Sequence, residues 1–192
     1  MTDRRAFLSG LAATIGATAA GPALAYDVPA KHMPRIVRVN PARFRPGELH
    51  VDPNSFYLYW VLENGRAIRY VVGVGRDNLY ESGEFKVGRK AEWPSWKPTP
   101  QMIERSPEKY EKYADGVPGG PTNPLGARAL YLYNARGYDT ALRIHGTPQP
   151  WTVERAVSNG CARLVNDHII DLYARVPVGA RVVLHPKTSL SG

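Results

Sequence analysis

Most apolar residues lie in short runs that are rich in β-branched and aromatic side chains and bounded by turn-forming residues, and such strand signals are nearly continuous before residue 92. Ile36-Val37-Arg38-Val39 reads as a short strand, followed by a turn-rich connector from Pro41 to Gly47. Ser55 to Leu62 and Ala67 to Val74 flank Glu63-Asn64-Gly65-Arg66. Asn and Gly both tolerate the positive φ of a tight turn, so these two runs predict an antiparallel hairpin. Gly83 to Ala91, Ala127 to Tyr133, Ala141 to Ile144 and Ala180 to Leu184 predict further strands. Helical spacing is clear for Ile169, Leu172, Tyr173 and Val176, in a segment that Asn166 is expected to cap and that Pro177 and Gly179 end. The pattern predicts a mainly β domain with one or two short helices.

Between Glu92 and Gly126 the pattern breaks into a long excursion rich in Pro, Gly, Trp and Tyr, with one short helical turn expected from Pro107 to Tyr113. Long, partly regular loops in compact domains commonly act as lids or binding loops. Trp93, Trp96, Tyr110 and Tyr113 are either a surface that covers substrate or the excursion's own small core.

Composition narrows the class. A chain of 192 residues with 43% apolar and 22% charged positions is an ordinary globular protein, which argues against disorder, collagen, coiled coil and disulfide-stapled miniprotein. No repeat or flexible linker divides it. The first 25 residues read as a removable export signal: Arg4 and Arg5, then an alanine-rich apolar stretch, then Ala23-Leu24-Ala25 as the cleavage pattern. Asp3-Arg4-Arg5-Ala6-Phe7-Leu8 resembles the twin-arginine signal, which implies a periplasmic or cell-envelope protein with no stable membrane span once the signal is removed. Export would leave 23 basic against 16 acidic residues, a net charge of +7. With no Lys/Arg tract and no nucleic-acid module, carboxylate-rich cell wall is the expected partner, not nucleic acid.

Cys161 is the one cysteine. It cannot form an intramolecular bridge, so it is either a buried inert thiol or a nucleophile. Its neighbourhood favours the nucleophile. His145, in Ile144-His145-Gly146-Thr147, precedes it by 16 positions, and an imidazole can take a thiol proton and return it to a leaving amine. No carboxylate adjoins His145, so the carbonyl of Gly146 is the candidate orienter of the ring. Ser158-Asn159-Gly160-Cys161 would supply substrate contacts, with the amides of Asn159, Gly160 and Cys161 facing a developing oxyanion. Arg163 is either a partner for a substrate carboxylate that also lowers the thiol pKa, or a solvated surface arginine. The histidines His32, His50, His168 and His185 show no metal-ligand spacing, and neither a metal nor another cofactor is expected.

These residues resemble the L,D-transpeptidase (YkuD-like) catalytic domain. The resemblance rests on Ile144-His145-Gly146-Thr147, on Ala156 to Leu164, on Asn166-Asp167 and on Val178-Gly179-Ala180-Arg181-Val182, with Asn123 to Leu130 and the Phe56 to Val74 hairpin similar upstream. It implies a β-sandwich-like fold with a lid-like loop, Cys161 as nucleophile, His145 as base and Gly146 as orienter. It further implies acyl transfer on peptidoglycan stem peptides through a thioester, without a cofactor. The organisation expected is an export signal at 1–25, a lead-in at 26–48, the catalytic domain at 49–186 and a tail at 187–192. The sequence departs from the commonest family pattern at Asn159, where a second histidine usually stands. Three readings stay open: a transpeptidase forming cross-links or attaching a protein to the wall, a hydrolase of the same fold that uses water, and a silent wall-binding module.

Overall fold

The computed structural model describes residues 26–188, so the expected export signal and the last four residues lie outside it. Eleven strands carry the architecture: β1 (Arg35–Arg38), β2 (Leu49–Asp52), β3 (Tyr57–Leu62), β4 (Arg66–Val71), β5 (Val74–Gly75), β6 (Gly83–Glu92), β7 (Arg128–Tyr133), β8 (Asp139–His145), β9 (Ala156–Ser158), β10 (Ala162–Arg163) and β11 (Arg181–Leu184). Nine form one sheet in the order β1-β4-β3-β2-β11-β6-β7-β8-β10, and β5 pairs with β9 separately. The expected hairpin is β3 and β4 in antiparallel register, Leu58 opposite Tyr70 and Trp60 opposite Ile68. Its turn is made by Asn64 and Gly65 at φ 60° and 63°. The lead-in is part of this sheet, because β1 pairs along β4.

The sheet curls upon itself. Beyond β4, Gly73 pairs with Arg163 through reciprocal backbone bonds of 2.9 and 2.8 Å, which joins the end of β4 to β10. The run from Ala67 to Val74 is therefore not one strand: it leaves β4 at Val71 and re-enters as β5 in the smaller sheet. Leu58, Tyr70, Val72, Leu130, Leu132, Ile144, Leu164 and Val182, at 0–1% exposure, line the enclosed side. Helix α3 (Asn166–Arg175) fills it with Ile169 and Leu172, both fully buried. Each such side chain contributes about 1.5–3 kcal/mol.

Asn166 does not cap α3. Val165 is the N-cap, and the Asn166 side chain instead accepts from the Ala127 amide at 3.0 Å. The excursion is more helical than the sequence suggested. Thr99 caps α1 (Pro100–Arg105) by accepting from the Met102 amide, and α2 (Pro107–Tyr110) runs into a 3-10 turn, Glu111–Tyr113. Trp96 packs on the buried Tyr110 and on the partly exposed Tyr113 with ring centroids 6.3 and 6.0 Å apart, so these three form an aromatic cluster of the excursion's own, while Trp93 stays exposed. No helix among the described residues is long and apolar enough to cross a membrane.

Candidate active site

His145 is the last residue of β8, and its Cα is paired with that of Arg163 on the parallel strand β10. Cys161 stands just before β10, so backbone pairing alone brings the histidine, the cysteine and the arginine together. The His145 ring is buried, with Nδ1 2.5 Å from the Gly146 carbonyl oxygen. A carbonyl can only accept, so Nδ1 carries the proton and Nε2 the free lone pair. Burial, then the positive charges of Arg163 and Arg143, hold the imidazole down to a pKa of about 3, with the Gly146 and Leu125 carbonyls opposing them.

The segment 123–126 fixes this geometry from behind. Asn123 is fully buried; its amide donates to the carbonyls of Val117 and Pro118, and its oxygen accepts from Leu125 N. Gly126, at φ +62°, lies flat on the His145 turn: a Cβ there would sit 2.5 Å from both Gly146 C and Thr147 N. Asn166 closes the same contact through Ala127.

The turn that carries the thiol is built by Ser158. Its hydroxyl is buried, donates to the Cys161 carbonyl at 2.6 Å and accepts from the Gly160 amide at 3.3 Å. Ser158 is thus committed to the turn, not open to substrate as expected. The Gly160 amide is likewise committed, whereas those of Asn159 and Cys161 have no protein partner among the described residues. Gly160 adopts φ +119°, and a Cβ there would meet Leu79 O at 2.9 Å. Asn159 is held from the excursion: Arg105 donates to its Oδ1 at 2.9 Å and its Nδ2 donates to Tyr110 Oη at 2.8 Å.

The Cys161 thiol faces the Ala141 carbonyl at 3.9 Å. Burial pushes its pKa up, opposed by the Arg143 amide and by the charges of Arg143 and Arg163. Both shifts favour the neutral thiol and the neutral imidazole, because desolvation outweighs the neighbouring cations at the thiol. Arg163 is no solvated surface residue. Its Nε is buried without a partner, its NH1 makes only a 3.4 Å contact to Thr152, and burial pulls its pKa down.

Sequence reasoning missed the support beneath the thiol. Ala141 is left-handed at φ 62° within β8, where the register against β7 slips between Tyr131 and Tyr133. Asp139 holds this bulge by accepting from the Ala141 amide at 2.9 Å and from both terminal nitrogens of Arg143. Nothing in an alanine codon position signals such a conformation; Arg143 was readable, two residues before His145 on one strand face. Among the described residues no group of three His, Cys, Asp or Glu side chains is placed to hold a metal.

The chain is similar to known proteins over most of its length. Residues 46–184 match the family model YkuD, the L,D-transpeptidase catalytic domain. A Fuscovulum blasticum protein named as an L,D-transpeptidase in the ATP synthase subunits region is 35% identical over 200 residues, covering 95% of this chain and 98% of its own. A crystal structure from Brucella melitensis, described as a carnitine operon oxidoreductase, superposes with a TM-score of 0.55 at 43% identity, covering 81% of this chain and 94% of that one. An Enterococcus faecium L,D-transpeptidase shares the fold at a TM-score of 0.51 and 16% identity, with 72% of this chain and 49% of that one covered.

Proposed function

The chain belongs to the L,D-transpeptidase (YkuD) family, and from that membership and the geometry of its site we propose a cysteine acyltransferase that works on peptidoglycan stem peptides in the cell envelope. The observation that carries the reading is the junction of β8 and β10, which sets a base with a fixed tautomer beside the strand that presents the thiol.

In the first half-reaction the Cys161 sulfur attacks the carbonyl of the L-centred third residue, and the thiol proton passes to His145 Nε2. Because both groups rest neutral, proton transfer accompanies attack. The free amides of Asn159 and Cys161 are the donors available to the oxyanion. Collapse of the tetrahedral species expels the terminal D-alanine, whose amine takes the proton from His145 and leaves a thioester. In the second half an amine of another stem peptide, or of a protein to be attached to the wall, attacks the thioester. His145 takes the amine proton and returns it to sulfur.

Arg163 is the substrate-carboxylate partner in this reading. A half-buried guanidinium with an orphaned nitrogen and no carboxylate partner among the described residues is costly unless an anion completes it. Ser158, Gly160 and Gly146 position the machinery without touching substrate. The Arg105 and Tyr110 bonds to Asn159 support the excursion's role as a lid that excludes water from the thioester. Residues 1–25 are the twin-arginine-type export signal, and 49–186 the catalytic domain with β1 packed on its edge. Mass spectrometry of disaccharide-tetrapeptide incubated with the enzyme tests the reading. Cross-linked dimer with loss of D-alanine supports it; tripeptide alone makes the enzyme a hydrolase, and unchanged substrate with unmodified Cys161 refutes acyl transfer.

A further inference from the structure

The sequence has no basic tract, yet the fold gathers six arginines on one edge. Arg35 and Arg38 lie on β1, Arg43 and Arg45 on the connector that follows it, and Arg66 and Arg69 on β4. Pairing of β1 with β4 sets Arg35 opposite Arg69 on one face of the sheet edge and Arg38 opposite Arg66, beside Ile36, on the other, so arginines fringe both sides of the edge. Like charges directly across a strand pair destabilise it, and only two of the six have a polar or aromatic partner, Arg69 stacked on the Tyr57 ring and Arg35 donating to the Ala30 carbonyl, among the described residues. None of the six is in an ion pair among the described residues, where every bridge involves other cations. The nearby Glu48 carboxylate is already held by Arg181 and His50.

The edge is also apolar in places. Ile36, between the arginines of β1, is 64% exposed, and Met33 just before it is 49% exposed. β1 is the outermost strand of the sheet, and a groove lined by Arg38, Phe44 and Leu62, with one carboxylate, Glu63, at the hairpin tip, runs beside the connector.

We propose that this edge docks on a lipid surface bearing anionic phosphates. The cations are all arginines, whose planar fork binds phosphate bidentately, and lysine is absent from the set. Basic side chains near such a surface combine with apolar side chains inserted into the headgroup region to give stable association where neither suffices. A soluble polyanion would satisfy the arginines but leave Ile36 and Met33 in water.

Sedimentation of the full chain with vesicles tests this at 150 mM salt, using phosphatidylglycerol:phosphatidylcholine 3:7 against phosphatidylcholine alone. Wild type should sediment with the anionic vesicles only. Arg35→Gln/Arg38→Gln/Arg66→Gln should partition roughly 100-fold more weakly, from a per-arginine contribution of about fivefold. Lys86→Gln/Arg136→Gln/Arg155→Gln removes the same charge elsewhere and should partition within about tenfold of wild type. Both carry residues 1–25, so any contribution of that segment cancels. Ile36→Ser with the arginines intact should also weaken binding. Equal losses in the two triple variants would overturn the proposal, since binding would then follow net charge. So would retention of soluble polyphosphate by wild type without any vesicle binding, which would assign the edge to a polymer.

Discussion

Replacing Arg163 by methionine should make the protein more stable and less active at once. Methionine keeps the aliphatic stem that packs beside Gly73 but removes a buried Nε with no partner and a charge with no carboxylate. A buried unsatisfied donor costs about 1–3 kcal/mol. At roughly 2–4 °C per kcal/mol for a domain of this size, Arg163→Met should raise Tm by roughly 2–12 °C. The same substitution removes the partner of the substrate carboxylate, a charge-assisted bond of about 1.5–3 kcal/mol, so kcat/KM for disaccharide-tetrapeptide should fall roughly tenfold to 150-fold. It also removes a cation that favours the thiolate, so alkylation of Cys161 should need higher pH than in wild type. Arg163→Lys should recover part of the charge effect and less of the binding, because an ammonium lacks the planar fork. Calorimetry and steady-state kinetics on one preparation decide the matter. A lower Tm with unchanged kcat/KM would mean that the guanidinium is a satisfied structural group, and the reasoning from its orphaned nitrogen would fail.

The buried imidazole also governs acid stability. His145 titrates at about 3 in the fold against about 6.5 for a free imidazole, so the unfolded chain takes up the proton first. The associated stability is complete above pH 6.5 and lost as pH falls toward 3, in total about 5 kcal/mol. His50 and His168, also shifted down by burial, act in the same direction. Urea denaturation of His145→Gln at pH 7 and pH 4 should show a loss smaller than wild type by about 3 kcal/mol; equal losses would contradict the low imidazole pKa. Asn159→Ala breaks both bonds from the excursion. It should leave the fold intact and Cys161 alkylatable while raising the share of acyl-enzyme lost to water, and an unchanged product ratio would show that the latch does not govern the acceptor. Gly126→Ala forces a Cβ to 2.5 Å from the Gly146 backbone at φ +62°. Strain and overpacking together should cost about 2–5 kcal/mol, seen as a large drop in Tm, and a Tm within 2 °C of wild type would contradict the packing described.

Local chemistry made much of this protein legible in its sequence. Asn64-Gly65 specified the β3–β4 hairpin because few dipeptides accept two positive φ values, and Ile169, Leu172 and Val176 marked α3 because helical spacing repeats within the segment itself. Cys161, His145 and Gly146 were readable because their residue types and spacing describe one reaction. What the tertiary structure decided are properties that depend on non-local contact. The break after Val71 follows from the pairing of Gly73 with Arg163, ninety residues later, and no pattern within the run discloses it. Asn166 reads as a cap from its neighbours alone, but the Ala127 amide takes its side chain first. Ser158 and Asn159 stand in the motif as candidate substrate ligands, yet one is turned inward to Cys161 and the other is claimed by Arg105 and Tyr110. The neutrality of the resting thiol and imidazole is collective too, because desolvation arises from everything packed around them. Six arginines scattered over 35 residues become one charged edge only when β1 pairs with β4, since strand pairing and not sequence distance sets which charges meet.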